Sequence, residues 1–193
     1  MRSFDPKGVG FFEARAWETY YQRRWGVFLL ASVGMVRAAF RMSWPRTLAG
    51  AWLVLRANQK WAPAHHNDPH GARALMTRFY RLLRASGNAG FDPRRAAELE
   101  VEWWRAHREA QHAGDSQPDP ALVAALRDLY AYCYSVEPGN AELAAGLRAE
   151  AMVVSDDWVA AGCVPNDHRL VTVRSLLIRS YAALLAAVHR PSD

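Results

Sequence analysis

Cysteine is scarce in this chain of 193 residues, in which only Cys133 and Cys163 occur. Neither has a second Cys or a His at the spacing of a metal-binding motif. The sequence therefore argues against a disulfide-stabilised scaffold and against a cysteine-based zinc site. Because unpaired cysteines are typical of reducing compartments, we expect a soluble, cytoplasmic protein.

Lysine and long apolar runs are also scarce. Of the 24 basic residues only Lys7 and Lys60 are lysines, and 19 acidic residues spread along the chain reduce the formal net charge to +5. A surface of mixed sign favours solubility and gives little support for a nucleic-acid partner. The most apolar run, residues 25–36, is well short of the ~20 residues of a membrane span. We expect a buried helix there and no transmembrane segment.

Alternation of apolar and polar residues with a period of two, the mark of a half-buried strand, is missing between turn residues. Apolar residues instead recur at intervals of three and four, as in Leu75, Phe79 and Leu82. This spacing places them on one face of a helix. We therefore predict an all-α fold without a sheet, in one domain over residues 1–193, with residues 1–9 and 190–193 as flexible ends.

At least three of the four Asp-Pro pairs are expected to mark helix starts, because Asp accepts hydrogen bonds at the N-cap and Pro suits the first helical position. Their aspartates are Asp5, Asp68, Asp92 and Asp119. Together with the apolar spacing they predict helices at about 10–42, 45–62, 69–86, 93–113, 119–135, 140–162 and 168–189. Short linkers favour a bundle of about six or seven helices, orthogonal or up-down.

A histidine-rich loop is the first candidate site. His65, His66 and His70 lie beside Asp68, and imidazole and carboxylate are ligands that zinc accepts. Adjacent His65 and His66 point apart, however, and Asp68 is better placed as an N-cap. The sequence leaves metal binding by this loop open without favouring it.

An arginine group is the second candidate site, and it spans one helix, a turn and the next helix start. Its members are Arg73, Arg78, Arg81, Arg84, Arg94 and Arg95. The outline resembles that of helix–turn–helix DNA readers. Because Glu98, Glu102 and Glu109 occupy the outer face of the second helix and would repel phosphates, we do not expect nucleic acid as a partner.

Aromatic residues form the third candidate site. Trp17, Tyr21, Trp25 and Phe28 fall on one side of the first predicted helix. Such rings suit a ligand pocket or a partner groove, although packing in the core is their more frequent use. With Trp103 and Trp104, the residues Trp17, Tyr21 and Trp25 are the candidate ligand-binding residues.

Polar residues at the edge of the apolar face of helix 93–113 form the fourth candidate site. Glu100 and His107 are seven residues apart, close to two helical turns, so both project beside Trp103 and Trp104. A shielded carboxylate and imidazole need partners, since an unpaired buried polar group costs about 1–3 kcal/mol. We therefore expect both side chains to join a polar cluster.

Other helices repeat this pattern. Glu150 and Asp157 are seven residues apart, and Glu18 lies beside the first aromatic stripe. The candidate catalytic residues are thus Glu100, His107, Glu150 and Asp157, and the candidate metal ligands are Glu18, Glu100, His107 and Glu150. We expect at least two of five residues to lie within reach of Glu100 or His107, namely Glu18, Glu150, Asp157, Arg174 and Tyr181.

Two functions remain after this reading of the residues. The first is a non-catalytic helical module that binds a partner protein or an apolar small molecule through its Trp- and Tyr-rich interior or surface. The alternative is a small helical enzyme that uses inward carboxylates and His107 around a divalent metal or as general acid and base. A structural polar network accounts for the same residues. No motif indicates a particular cofactor, and a homo-oligomer stays open.

Overall fold

The computed structural model describes residues 3–63, 66–87, 90–114 and 116–190, and these residues form eight α-helices and no strand. The prediction of an all-α fold is confirmed, with one helix more than expected. The helices are α1 (Pro6–Tyr21), α2 (Trp25–Phe40), α3 (Trp44–Trp61), α4 (Pro69–Ala85), α5 (Pro93–Ala113), α6 (Pro120–Tyr134), α7 (Pro138–Ala160) and α8 (His168–Val188).

Aspartate side chains cap five of these helices, and all four Asp-Pro pairs are helix starts. Asp68 accepts from the backbone N–H of Gly71 at 2.7 Å, and Asp119 accepts from Ala121 at 2.7 Å. Asp5, Asp92 and Asp167 cap α1, α5 and α8 in the same way. The predicted caps at Asp68, Asp92 and Asp119 are thus confirmed.

Two helices begin earlier than predicted. Because Asp5 caps α1, residues 6–9 are helical and Val9 is buried, whereas we had expected a flexible end there. Helix α7 begins at Pro138, with Glu137 at the N-cap position, so Asn140 lies inside its first turn.

The long helix expected over residues 10–42 was wrong, because the chain breaks between α1 and α2. Arg23 adopts a left-handed backbone conformation with φ of 57° and turns the chain. The turn packs Trp25 against Tyr20, with ring centroids 5.9 Å apart, and Arg23 stacks on both rings. Aromatic packing thus offsets the backbone strain of about 1–2 kcal/mol at Arg23. The turn contains neither the Gly nor the Pro that usually marks such a turn in a sequence.

The eight helices form a closed ring. Each helix packs against the next one in sequence, and α8 packs back against α1. Connections of three to seven residues keep consecutive helices adjacent. All eight helices contribute buried side chains to the interior, so the ring encloses the core and the site described below.

Gly10 on α1 makes the closure of the ring tight. A Cβ atom added at this position would lie 2.6 Å from the backbone nitrogen of Ile178 on α8. A side chain of any size would therefore force the two helix backbones apart. The fold therefore requires glycine at position 10 because it has no side chain, and not because its backbone is flexible.

Helix α8 has the length and mean hydropathy of a membrane-spanning segment, and it is the only such helix among the described residues. Its most apolar window is 44% buried, and it packs against α1 and α7. The core helix of a globular protein meets the same criterion, so α8 is weak support for a membrane span.

We predict that Gly10→Ala lowers the free energy of unfolding by about 1–3 kcal/mol, because the added methyl group overpacks the contact between α1 and α8. Gly146→Ala in α7 is the control, since no atom lies within 4 Å of its added Cβ. That control should gain about 0.5–1 kcal/mol from helix propensity. Urea unfolding measures both, and equal stability of Gly10→Ala and the parent would contradict this packing.

Candidate functional site

A cavity of about 170 Å³ lies inside the ring, and side chains from all eight helices line it. One part of its wall is apolar and contains Phe28, Met35, Phe40, Met76, Phe79 and Leu129. The polar wall consists of the few charged and hydroxyl groups that also line the cavity. Ligand pockets in proteins have this composition, with a predominantly apolar lining and a few convergent polar groups.

A buried ion pair between Glu13 on α1 and Arg148 on α7 forms the centre of the polar wall. Nη2 of Arg148 donates to Oε1 of Glu13, and only 5% of the Glu13 side chain and 8% of the Arg148 side chain are exposed. Burial is the largest single effect on Arg148 and opposes its charge, but the combined attraction of Glu13 and the neighbouring acidic groups outweighs burial and holds the pKa of Arg148 well above its usual value. Arg148 is therefore arranged to stay charged.

Aromatic side chains support this ion pair. The guanidinium carbon of Arg148 lies 4.6 Å from the ring centroid of Trp103, close enough for a cation–π interaction. Nη1 of Arg148 also donates to the hydroxyl of Tyr130 at 3.3 Å. The hydroxyl of Tyr181 lies near Glu13, and burial, together with that carboxylate, raises the pKa of Tyr181.

Three buried polar atoms of the wall lack a hydrogen bond of ordinary geometry among the described residues, although the Trp103 indole lies near the Glu100 carboxyl and the Tyr181 hydroxyl lies near Glu13. They are the acceptor Oε2 of Glu13 and the donors Nε of Arg148 and Nε1 of Trp103. An unpaired buried group of this kind costs about 1–3 kcal/mol. All three residues line the cavity, but these atoms have almost no accessible surface on it, so a bound molecule with both a donor and an acceptor would pair with them only after a small side-chain rotation.

Glu100 on α5 lines the same cavity and has an unusual environment. Its Oε2 accepts from the hydroxyl of Tyr80 at 2.7 Å. Burial raises the pKa of the Glu100 carboxyl, and attraction to Arg148, the Tyr80 bond and the nearby Trp103 indole offset the rise only in part. Glu100 therefore holds its proton to a higher pH than an ordinary glutamate.

A second cavity of about 210 Å³ adjoins the first, and both share the side chains of Trp17, Phe28, Asn58, Trp103 and Trp104. It also reaches the side chains of Arg23 and His112, which are exposed. The two cavities are thus neighbours that share part of their walls, and the second one also reaches exposed side chains at the surface.

His107 lies on the second cavity and not beside Glu100. Its Nε2 is 3.1 Å from Oδ2 of Asp156 on α7, and Gln111 donates to the other oxygen of Asp156 at 2.6 Å. Gln111 also contacts the hydroxyl of Tyr21 at 3.3 Å. The groups at this end of the space are therefore already hydrogen-bonded to one another.

Four of the five aromatic residues that we named as ligand-binding candidates line these cavities. Trp17, Trp103 and Trp104 contribute to both, and Tyr21 contributes to the second. Trp25 contributes to neither, because the break before α2 turns it onto Tyr20 and away from the interior.

The predicted cluster around Glu100 and His107 has other members than expected. Glu150 and Asp157 are exposed on α7, so they cannot complete an inward site. Glu18 pairs with Arg15 at 2.6 Å. Of the five expected partners, only Tyr181 lines the cavity that Glu100 lines. Within the described residues, none of the five forms a hydrogen bond with Glu100 or His107.

The inward face of α7 was assigned wrongly, because this helix packs between α6 and α8 and its buried arc is lined by small residues. Leu143, taken as inward, is 66% exposed, whereas Arg148 is buried. The signal that indicated this face is the set of alanines around Arg148, namely Ala141, Ala144, Ala145, Ala149 and Ala151. Glu13 on α1 was missed for the same reason, because small residues also line the buried face of that helix. Its neighbour Ala14 and nearby Gly10 are both small and buried.

No metal-ligand set forms in the described part of the chain, where no three His, Cys, Asp or Glu side chains come together. The candidate metal ligands lie on three helices, and some face the interior while others face solvent. They are Glu18 on α1, Glu100 and His107 on α5, and Glu150 on α7. In the histidine loop, His65 lies outside the described residues. His66 and His70 are exposed, and Asp68 caps α4 and pairs with Lys60 at 3.2 Å.

Comparison of this chain with protein-family models, with characterised proteins and with solved structures finds no match. The chemistry of the cavity therefore has to be argued from its own residues.

We predict that Arg148→Met lowers the free energy of unfolding by about 3–5 kcal/mol, because it leaves the carboxylate of Glu13 buried and unpaired. The double variant Glu13→Leu/Arg148→Met should recover most of that loss. Arg105→Met is the control, since its exposed pairs with Glu102 and Glu109 are worth less than about 1 kcal/mol. Urea unfolding measures the free energy of unfolding of all these variants. A loss of stability in Arg148→Met that is no larger than the loss in Arg105→Met would contradict the buried ion pair.

We also predict that Glu100 destabilises the fold as pH rises. Above its ordinary pKa of 4.5 the unfolded carboxyl ionises while the folded one keeps its proton, so stability falls until the folded pKa is passed. Glu100→Gln still accepts from Tyr80 and has no proton to lose. The parent should therefore lose stability relative to this variant as pH rises above 4.5.

Urea unfolding at several pH values measures this difference. Glu98→Gln is the control, because Glu98 is exposed on the same helix. Parallel stability curves for the parent and Glu100→Gln would mean that the carboxyl of Glu100 is not shifted.

Proposed function

We propose that this protein binds a small, mainly apolar molecule that carries one uncharged polar group. The observation that carries the proposal is the cavity inside the ring, with a mainly apolar lining and three buried polar atoms that lack a hydrogen bond of ordinary geometry. The free cysteines, Cys133 and Cys163, are consistent with action in a reducing compartment, and we propose the cytoplasm.

The apolar wall supplies the affinity. Removing apolar ligand surface from water contributes roughly 25 cal/mol per Å², and rigid aromatic rings supply contact area at little entropic cost. The rings of four residues border both cavities, so an alkyl chain in either cavity would contact them, namely Trp17, Phe28, Trp103 and Trp104.

The polar wall selects the head group. Glu13 and Arg148 neutralise each other, and burial raises the pKa of Glu100, so that carboxyl keeps its proton to a higher pH than an ordinary glutamate. A charged head group would have no uncompensated counter-ion and would lose its hydration. A hydroxyl or carboxamide, which both donates and accepts, matches Oε2 of Glu13 and the N–H groups of Arg148 and Trp103.

A general acid–base enzyme is the second candidate, and the environment of Glu100 favours it. A carboxyl with a raised pKa on the wall of a cavity can donate a proton to a bound molecule, with Tyr80 holding its other oxygen. The two functions differ in the fate of the bound molecule. Mass spectrometry of the ligand recovered after incubation distinguishes them, because turnover changes its mass and simple binding does not.

We predict that decan-1-ol and decanamide bind with one molecule per chain and at least roughly tenfold more tightly than decanoate or decylamine, because only the charged heads lack a counter-ion. Isothermal titration calorimetry at neutral pH measures all four. Ala16→Leu fills the cavity and should abolish binding, whereas Ala182→Leu on the exposed face of α8 should leave it unchanged.

Two outcomes would count against the proposal in different ways. Equal binding of all four probes, or tightest binding of decanoate, would contradict the uncharged head group and leave the cavity as a binding site. Binding that survives in Ala16→Leu while this variant stays folded by circular dichroism would place the probes elsewhere and overturn the proposal.

A further inference from the structure

Three large apolar side chains form an exposed row on α3. Trp44, Leu48 and Trp52 are four residues apart, so they lie on one face of the helix. Their exposed fractions are 59%, 54% and 53%. Helix α3 packs mainly against α2 and α4 through its other face, so this row, the α3 stripe, has no partner in the described chain.

Cations accompany the α3 stripe. The guanidinium of Arg37 lies 5.1 Å from the Trp44 ring, and that of Arg56 lies 5.9 Å from the Trp52 ring. Arg56 and Lys60 also continue the same row by one and two further turns. The helix therefore presents an apolar surface whose edges are positively charged.

The charge of the surrounding segment is entirely of one sign. Residues 19–67 contain seven Arg or Lys and no Asp or Glu, which gives +7 within a chain of net charge +5, so the remainder carries −2. Among these seven cations in the described chain, Lys60 alone forms an ion pair, with Asp68. The basic character of the protein thus comes from the part that contains α2 and α3.

We propose that the α3 stripe docks on a membrane surface that contains anionic lipid. Tryptophan is enriched at the level of lipid head groups, where its ring is buried and its N–H stays wet. Basic residues beside an apolar helix face are the pattern of helices that lie in the interface, and each is attracted to anionic head groups. A second copy of the chain fits less well, because two such faces would oppose cations to cations.

Co-sedimentation with vesicles tests this proposal independently of the cavity. The parent should bind vesicles of phosphatidylcholine and phosphatidylserine and not vesicles of phosphatidylcholine alone, and high salt should weaken the binding. Trp44→Gln/Trp52→Gln should weaken it by roughly tenfold or more through lost insertion, and Arg56→Gln/Lys60→Gln should do so through lost attraction. Phospholipids brominated in their acyl chains should quench the tryptophan fluorescence of the bound parent.

The matched control is Leu143→Gln/Val171→Gln, which removes apolar groups that are equally exposed on α7 and α8. It should bind the anionic vesicles as the parent does, and circular dichroism should show all variants folded. Failure of the parent to bind these vesicles, or an equal loss in the control, would overturn the proposal. Binding to soluble polyglutamate that equals binding to vesicles, with no effect of the Trp changes, would overturn it in favour of an acidic protein partner.

Discussion

Removing the guanidinium of Arg148 and the carboxylate of Glu13 from water costs several kcal/mol per ion, and only their mutual contact offsets that cost. The pair joins α1 to α7 across the interior of the ring, and Arg148 stacks on the Trp103 ring of the aromatic core. Small side chains on α7 leave room for Arg148. The same arrangement leaves one atom of each partner without a hydrogen bond of ordinary geometry, and the proposed ligand site is built on these atoms.

Helices α2 and α3 have two distinct faces. Their inner faces supply Met35 and Val54 to the cavity, and the outer face of α3 carries the stripe of Trp44, Leu48 and Trp52. Apolar molecules partition into bilayers, so a protein that docks on a membrane with this surface would encounter its proposed ligand there at high local concentration. The cavity and the docking surface, on opposite sides of these helices, would then both contribute to taking up the ligand from the membrane.

Local features of the fold could be predicted from the sequence, whereas features set by distant contacts could not. Asp92 marks the start of α5, because N-capping depends on neighbours two or three residues away. The turn at Arg23 depends on how Trp25 packs against Tyr20. The sequence there contains no Gly or Pro that would predict a turn. Arg148 is buried because Glu13, 135 positions away in the chain, meets it. Periodicity on one helix does not contain that information.

A nuclear Overhauser experiment on the protein with bound decanamide tests the central claim most directly, because it reports which side chains touch the ligand. The account predicts cross-peaks from the head group to the indole N–H of Trp103 and from the alkyl chain to the methyl group of Met76, both on the cavity wall. Cross-peaks confined to the exposed indoles of Trp44 and Trp52, with none to Trp103, would contradict it.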